Sequence, residues 1–177
     1  MSRVFLSLGS NIDRVQNIIS ALEQLKNRFG ELELSSVYES EAVGFSGDCF
    51  LNMVVGIRCD ITLRVLSRFL KKLEDQHGRE RTGPRFASRT LDIDIVIFDD
   101  LLGVHEGIEL PRPELYYNAF VLWPLAELSP KGTDPKSGEC FGELWHQLNK
   151  DQKLWKVDFY WAGTQISSAT NPESRSL

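Results

Sequence analysis

The stretch RTLDIDIVIFDD, residues 89–100, decides the predicted fold because its apolar residues recur at alternate positions and most of them are β-branched. This period of two predicts a β-strand and places the aspartates of its D-x-D pair on one face, about 6 to 7 Å apart. The two alternating sets are Leu91, Ile93, Ile95 and Ile97 on one side, and Asp92, Asp94, Val96 and Phe98 on the other.

Two like charges on one strand face are unfavourable unless a cation lies between them. Mg²⁺ prefers carboxylate oxygens and retains several waters, so Asp92 and Asp94 are candidate ligands for one or two Mg²⁺ that carry the phosphates of a nucleotide. The alternative is a solvent-facing pair of carboxylates at a sheet edge.

The segment directly before this strand is basic. RERTGPRFASR, residues 79–89, holds four arginines and one glutamate, a local charge of +3. Guanidinium groups bind phosphate oxygens, so the combination with the aspartates predicts a nucleoside triphosphate site. No G-x-x-x-x-G-K-S/T motif occurs, so we expect side chains and metal, not a P-loop, to bind the phosphates. The alternative for each arginine is a solvated position in a loop.

The rest of the chain predicts alternating strands and helices in the order β-α-β-β-α-β. This order is typical of an α+β, ferredoxin-like split βαβ fold with an antiparallel sheet covered by helices. The predicted elements are a strand at 4–8, a helix from 15 to Gly30, strands at 31–38 and 50–57, a helix from Asp60 or Thr62 to Gly78, the strand described above, a helix at 118–128 interrupted near Pro124, and a last strand at 155–161.

Length and composition predict a single domain over residues 1–162 and a disordered polar tail over 163–177. The net charge of −5 argues against general binding to nucleic acid. We expect a cytoplasmic protein, because no run approaches the ~20 apolar residues of a membrane span and the three cysteines show no paired spacing. We also expect a monomer, since nothing in the sequence suggests an obligate partner. An RNA-binding module is an alternative for a ferredoxin-like sheet beside a basic loop.

Five short motifs carry a family resemblance: LGSN at 8–11, FLN at 50–52, LEDQHGR at 73–79, RTLDIDI at 89–95 and FVLWPL at 120–125. Over roughly residues 3–150 the chain resembles the 6-hydroxymethyl-7,8-dihydropterin pyrophosphokinase family of folate biosynthesis. The resemblance implies transfer of a diphosphate from ATP to a pterin alcohol, with AMP as the second product and two Mg²⁺ as cofactors.

The same resemblance implies roles for individual residues. Asp92 and Asp94 are expected to bind the two Mg²⁺ and, with Arg79 and Arg85, to form the catalytic group. The expected ATP-binding residues are Glu74, Arg79, Arg81, Arg89, Ile95 and Arg112. The expected pterin-binding residues are Ser40, Val43, Gly44, Phe50, Asn52, Phe86 and Phe120, with Phe50 and Phe120 as aromatic faces and Asn52 as the edge reader, although each phenylalanine alone is as well explained by a core position.

Some positions depart from the family pattern. The prolines expected near Glu41 and before the Arg-Thr-Leu-Asp block are absent, since Ala87 and Ser88 stand at the second place. Arg112 replaces a histidine, and Asn118 replaces an arginine. These differences motivate an alternative, a paralogue with the same fold and metal site that acts on another acceptor or only binds a ligand.

Overall fold

The computed structural model describes residues 1–41, 47–78, 91–148 and 151–169. A 3₁₀ helix covers Pro113–Tyr116. The other elements, in chain order, are β1 (Ser2–Ser10), α1 (Arg14–Phe29), β2 (Glu33–Leu34), β3 (Val37–Ser40), β4 (Phe50–Cys59), α2 (Leu63–Gln76), β5 (Asp92–Phe98), β6 (Gly103–His105), β7 (Ile108–Leu110), α3 (Ala119–Leu128), α4 (Phe141–Gln147), β8 (Leu154–Val157), β9 (Phe159–Trp161) and β10 (Thr164–Ser167).

The main sheet is antiparallel, with strand order β5-β1-β4-β3-β8 and the short β2 also paired with β4. The four neighbouring strands β5, β1, β4 and β3 lie in the order of the split βαβ fold, which confirms the predicted α+β, ferredoxin-like class. The predicted strand at 31–38 is divided into β2 and β3. Between them, the Val54 amide of β4 donates a hydrogen bond to the Ser35 hydroxyl at 2.9 Å, so a side chain and not a strand carbonyl is the partner of this amide.

Each face of the sheet packs against different helices. In the larger core, α1 and α2 pack against strand residues such as Leu6, Met53 and Ile95. On the opposite face, α3 and α4 bury Phe5, Val54 and their neighbours in a second core. The second core covers only part of its face, so the ends of β1, β4 and β5 that carry polar side chains lie beside it.

The helices begin and end largely where the sequence indicates. The Thr62 hydroxyl caps α2 by accepting from the Val65 amide at 3.4 Å, and Gly30 and Gly78 follow α1 and α2 with positive φ. The predicted interruption near Pro124 is wrong, since α3 continues through this residue. Proline removes one amide donor, but Pro124 and five other α3 residues are buried, and this packing outweighs the lost hydrogen bond.

The predicted alternation of β5 fails at a β-bulge. Leu6 pairs with Ile95 and Phe5 with Ile97, so Val96 has no partner on β1. Beyond this extra residue the two faces exchange: Ile97 joins Val96 in the second core, whereas Phe98 joins Ile95 in the larger core.

The C-terminal prediction needs two corrections. The expected strand at 155–161 is two strands, because β8 joins β3 in the main sheet whereas β9 pairs with β10. The expected disordered tail from residue 163 is wrong for its first part, where β10 forms over Thr164–Ser167. Ser167 is buried, and its hydroxyl accepts from the Val37 amide at 2.9 Å and donates to the Val37 carbonyl at 3.2 Å.

We predict that Ser167→Ala lowers the free energy of unfolding by about 1–3 kcal/mol, because the buried amide and carbonyl of Val37 lose their partner. Urea unfolding of both proteins measures the difference. Ser168→Ala is the matched control, because Ser168 is exposed. Equal stability of the Ser167 variant and the wild type would contradict an anchored β10.

Candidate active site

The site is a polar row across three strands, on the sheet face that α3 covers in part. Asp92 of β5 pairs with Gly9 of β1, which pairs in turn with Asn52 of β4. Residues opposite each other in antiparallel strands share a face, so Asp92 and Asn52 lie two strands apart, about 10 Å, across a glycine. Asp94 lies opposite Ser7 in the next row of the same face. The sequence prediction that both carboxylates share a face is therefore correct.

Gly9 leaves an open space between the two ends of the row. A Cβ atom built there would lie 3.4 Å from Asn52 Oδ1 and 3.9 Å from Phe50 Cδ1. The Asn52 amide is fixed from behind, because its Nδ2 donates to Ser40 Oγ at 2.8 Å. The carbonyl oxygen Oδ1 therefore faces the space above Gly9 as a hydrogen-bond acceptor, with the Phe50 ring beside it.

The Asp94 carboxylate lies in an environment that disfavours its charge. Its pKa is raised to about 7, first by burial and then by the neighbouring carboxylate of Asp92, with smaller contributions from Glu74 and Glu114. The Arg112 guanidinium opposes this shift. Since the shift persists despite one cation, the described carboxylates have capacity for further positive charge.

The backbone of Arg112 is held beside the β5 bulge. Its amide donates at 2.8 Å to the carbonyl of Val96, the residue without a partner on β1. Its guanidinium then lies 3.4 Å from Asp94 Oδ1 and 3.3 Å from Glu114 Oε2. Arg112 thus supplies a permanent positive charge next to the paired carboxylates.

Glu74 and Ile95, two of the expected ATP ligands, have structural roles in the fold. Glu74 is buried, and its Oε1 accepts from the Ile93 amide at 2.8 Å on the outer edge of β5. The Ile95 side chain points into the larger core, on the face away from Asp94, so only its backbone is available to a ligand. Their contacts with ATP remain predictions.

The donor set fits Mg²⁺ better than a metal held by protein alone. Within the described ranges, no three His, Cys, Asp or Glu side chains converge into a complete metal site. Two carboxylates on one strand face, of which Asp94 has a raised pKa, suit a hard cation that takes its other ligands from water and phosphate. Asp92 and Asp94 are the residues that would hold it.

Helix α3 forms the wall beyond Asn52. Phe120, in its first turn, packs against both the second core and a small cluster of Tyr38, Ala119 and Leu154, and Tyr38 lies directly opposite Asn52. Glu127 fixes the other end of this helix. Its carboxylate accepts hydrogen bonds from the Tyr38 hydroxyl and the Ser36 amide and pairs with Lys156 at 2.8 Å.

The titration of this Glu127 group follows from its partners. Burial raises the pKa of Glu127, but the hydrogen bonds from Lys156, Tyr38 and Ser36 outweigh it, and the pKa lies below its usual value. Burial and the hydrogen bond to Glu127 raise the pKa of Tyr38. Glu127 therefore stays ionised and Tyr38 neutral, which keeps α3 tied to β3.

Of the predicted site residues, the structure brings Ser40, Phe50, Asn52, Asp92, Asp94, Arg112 and Phe120 to one face and its rim. Sequence reasoning gave no role to Gly9, Glu114 or Tyr38; LGSN was noted as a motif, but only the register shows that its glycine faces the site. The expected site residues Val43, Gly44, Arg79, Arg81, Arg85, Phe86 and Arg89, with Ala87 and Ser88, lie outside the described residues.

A ferredoxin-like sheet with a paired-carboxylate face and an arginine beside it defines a domain of the phosphoryl-transfer type. The model of the family 7,8-dihydro-6-hydroxymethylpterin-pyrophosphokinase (HPPK) matches residues 5–130. The chain therefore belongs to this family, and it is an ATP-dependent diphosphotransferase of folate biosynthesis. The family and enzyme class expected from the sequence are confirmed.

Two relatives and one solved structure illustrate the likeness. The 2-amino-4-hydroxy-6-hydroxymethyldihydropteridine pyrophosphokinase of Aquifex aeolicus is 36% identical over 138 residues, which are 76% of this chain and 85% of that protein. The enzyme of the same name from Synechocystis is 32% identical over 171 residues, 95% of this chain and 85% of its own length.

Plasmodium falciparum HPPK-DHPS, solved as a triple mutant with pteroate, matches 95% of this chain with a TM-score of 0.70 and 12% identity. This chain spans 48% of that longer protein, and at such low identity the match shows the fold alone.

Across the described residues, no helix is long and apolar enough to cross a membrane.

We predict that Asp94→Asn stabilises the metal-free protein at pH 8 by about 1–3 kcal/mol. The raised pKa means that wild type loses stability as pH rises from about 4, the value of a free carboxyl, through about 7, whereas the amide stays neutral throughout. Chemical denaturation in EDTA from pH 4 to pH 8 measures the difference, which should be small at pH 4.

Asp100→Asn serves as the control, because Asp100 follows the same strand but is exposed. A difference between the Asp94 variant and the wild type that does not depend on pH would show that Asp94 is already compensated.

Proposed function

We propose that the row from Asp92 to Asn52 carries out diphosphate transfer from ATP to the hydroxymethyl group of 6-hydroxymethyl-7,8-dihydropterin. The single observation that carries this assignment is the division of one sheet face into an anionic end, Asp92 and Asp94, and a neutral acceptor end, Asn52 and Phe50, with Gly9 between them. Family membership supports the same substrates.

The anionic end is assigned to the triphosphate. Asp92 and Asp94 would hold Mg²⁺, in our proposal two ions, and the bound metal would neutralise phosphate charge that these carboxylates otherwise repel. Arg112 is the described cation at this end, and its guanidinium can contact a phosphate oxygen while Glu114 retains it. The expected contributions of Arg79, Arg81, Arg85 and Arg89 remain part of the proposal.

The neutral end is assigned to the pterin. Asn52 Oδ1 accepts a hydrogen bond from an N–H on the edge of the ring, and the Asn52 amide cannot turn away because Ser40 holds its other end. Phe50 and Phe120 provide apolar faces for the flat ring system. Gly9 forms the floor, where any side chain would occupy the volume of the ligand.

The reaction requires one bond exchange at the β-phosphorus. The hydroxymethyl oxygen forms a bond to the β-phosphorus as the bond from that phosphorus to the oxygen bridging to the α-phosphate breaks. AMP leaves with this oxygen, and the hydroxyl proton is released to solvent. The protein contributes position and charge compensation, because the row fixes acceptor and triphosphate on one rigid sheet about 10 Å apart between its ends.

We also propose that the enzyme acts in the cytoplasm as a monomer. The three cysteines are free thiols, as expected for a reducing compartment. Among the described residues, the exposed large apolar side chains include Ile12 before α1, Val65 on α2 and Tyr160 on β9, with Leu102 and Val104 close together at β6. Light scattering on the purified protein tests the monomer.

Asp92→Ala and Asp94→Ala are each expected to reduce turnover by roughly 10³-fold or more, because the triphosphate loses a ligand for its metal. AMP and pterin diphosphate, separated by chromatography after incubation with Mg-ATP and the pterin, are the readout. Asp100→Ala is expected to retain activity.

Stoichiometric AMP and pterin diphosphate from wild type support the reaction. Wild type that binds Mg-ATP but yields no pterin diphosphate would instead favour a paralogue that acts on another acceptor. The departures from the family pattern at Arg112 and Asn118 are the reason to consider this alternative.

Gly9→Ala tests the acceptor end by itself. The new methyl group makes ordinary contacts with Asn52 and Phe50, so the fold is retained, but it enters the floor of the pterin space. We expect the KM for pterin to rise roughly tenfold with little change in the KM for ATP. Steady-state kinetics with each substrate varied in turn measures both constants, and an unchanged pterin KM would place the ring elsewhere.

A further inference from the structure

The first turn of α3 holds Phe120 but lacks the usual local cap. Asn118 occupies the N-cap position and its side chain makes no capping hydrogen bond, and no acidic residue lies in the first turn. Helix ends without such partners are prone to open. The orientation of Phe120 at the site therefore depends on what else secures this turn.

Gln152 secures it from a distant part of the chain. Its Oε1 accepts a hydrogen bond from the Ala119 amide at 2.9 Å, and its Nε2 donates to the Tyr117 carbonyl at 2.8 Å. The carboxamide thus bridges the two backbone groups on either side of Asn118. Only a side chain with both a donor and an acceptor can make this bridge, which excludes carboxylate and hydrocarbon replacements of equal length.

The segment that carries Gln152 is itself bonded to the pterin end of the site. Two residues later β8 begins, and it pairs with β3 in a register that sets Leu154 opposite Ser40. Ser40 is the residue that fixes the Asn52 amide. The same segment places Lys156 against Glu127 near the far end of α3. Residues 152–156 therefore connect Phe120 to Asn52, and all of them lie beyond residue 130, where the family match ends.

We propose that Gln152 is a positioning residue for the pterin site, which it serves by holding the first turn of α3, and with it Phe120, at a fixed place opposite Asn52 and Phe50. The proposal deepens the function given above and rests on it. Gln152 itself touches no substrate. It acts on the acceptor end, because this segment pairs with β3, whereas the strand that carries Asp92 and Asp94 pairs with β1.

The test compares Gln152→Ala and Gln152→Glu with wild type in steady-state kinetics. Gln152→Ala should raise the KM for pterin roughly tenfold, while the KM for ATP and kcat change less than about twofold. Gln152→Glu keeps the acceptor for the Ala119 amide but loses the donor to Tyr117, so it should restore part of the pterin affinity. Thermal unfolding of each variant shows whether it remains folded at the assay temperature.

Two controls separate positioning from general stability. Gln147→Ala removes an exposed amide that donates to Glu139 at 3.3 Å, and it should leave all constants unchanged. Lys156→Met removes the ion pair with Glu127, which lies at the opposite end of α3 from the turn that Gln152 holds. We expect a lower unfolding temperature without a selective rise in the pterin KM.

Unchanged pterin affinity in Gln152→Ala, or equal rises in the KM values for pterin and ATP, would overturn the proposal. Failure of the proposed function has a different signature, since wild type itself would then form no pterin diphosphate.

Discussion

The antiparallel pairing of β5 with β1 is the constraint on which the site depends. It sets Asp92 opposite Gly9 and Asp94 opposite Ser7, so both carboxylates share a face with Asn52 of β4. A shift of one residue in this register would turn both charges into the larger core, at a large cost in desolvation. Burial of Ile93 and Ile95 on the opposite face fixes the register, and the hydrophobic core thereby determines where the charges lie.

The anionic end of the row contains a carboxylate, Asp94, whose charge is disfavoured. Burial and Asp92 raise the pKa of Asp94 to about 7 even with Arg112 beside it. Such an arrangement costs stability in the absence of a ligand and favours binding of a cation with its phosphates. The bulge residue Val96 also contributes, because its carbonyl accepts a hydrogen bond from the Arg112 amide and holds that backbone in place.

The sequence predicted the strands that carry the site better than it predicted the elements around them. The ferredoxin-like order, the shared face of Asp92 and Asp94 and the place of Asn52 followed from periodicity and from family motifs, since these residues are in regular strands. The exchange of faces at Ile97 and Phe98 did not, because a bulge adds one residue without changing composition. The ordered β10 was also missed: its polar sequence suggests disorder, but Ser167 is held by the backbone of Val37.

By itself, the sequence determined the local elements, the paired carboxylates of one strand and the family to which the chain belongs, because strand period, helix period and short motifs are properties of neighbouring residues. Only the tertiary structure decided that Arg112 meets Asp94, that Glu127 ties α3 to Tyr38, and that Gln152 bridges the start of that helix. Each of these contacts joins residues at least 18 positions apart. Their formation depends on strand register and helix packing, which a one-dimensional pattern does not contain.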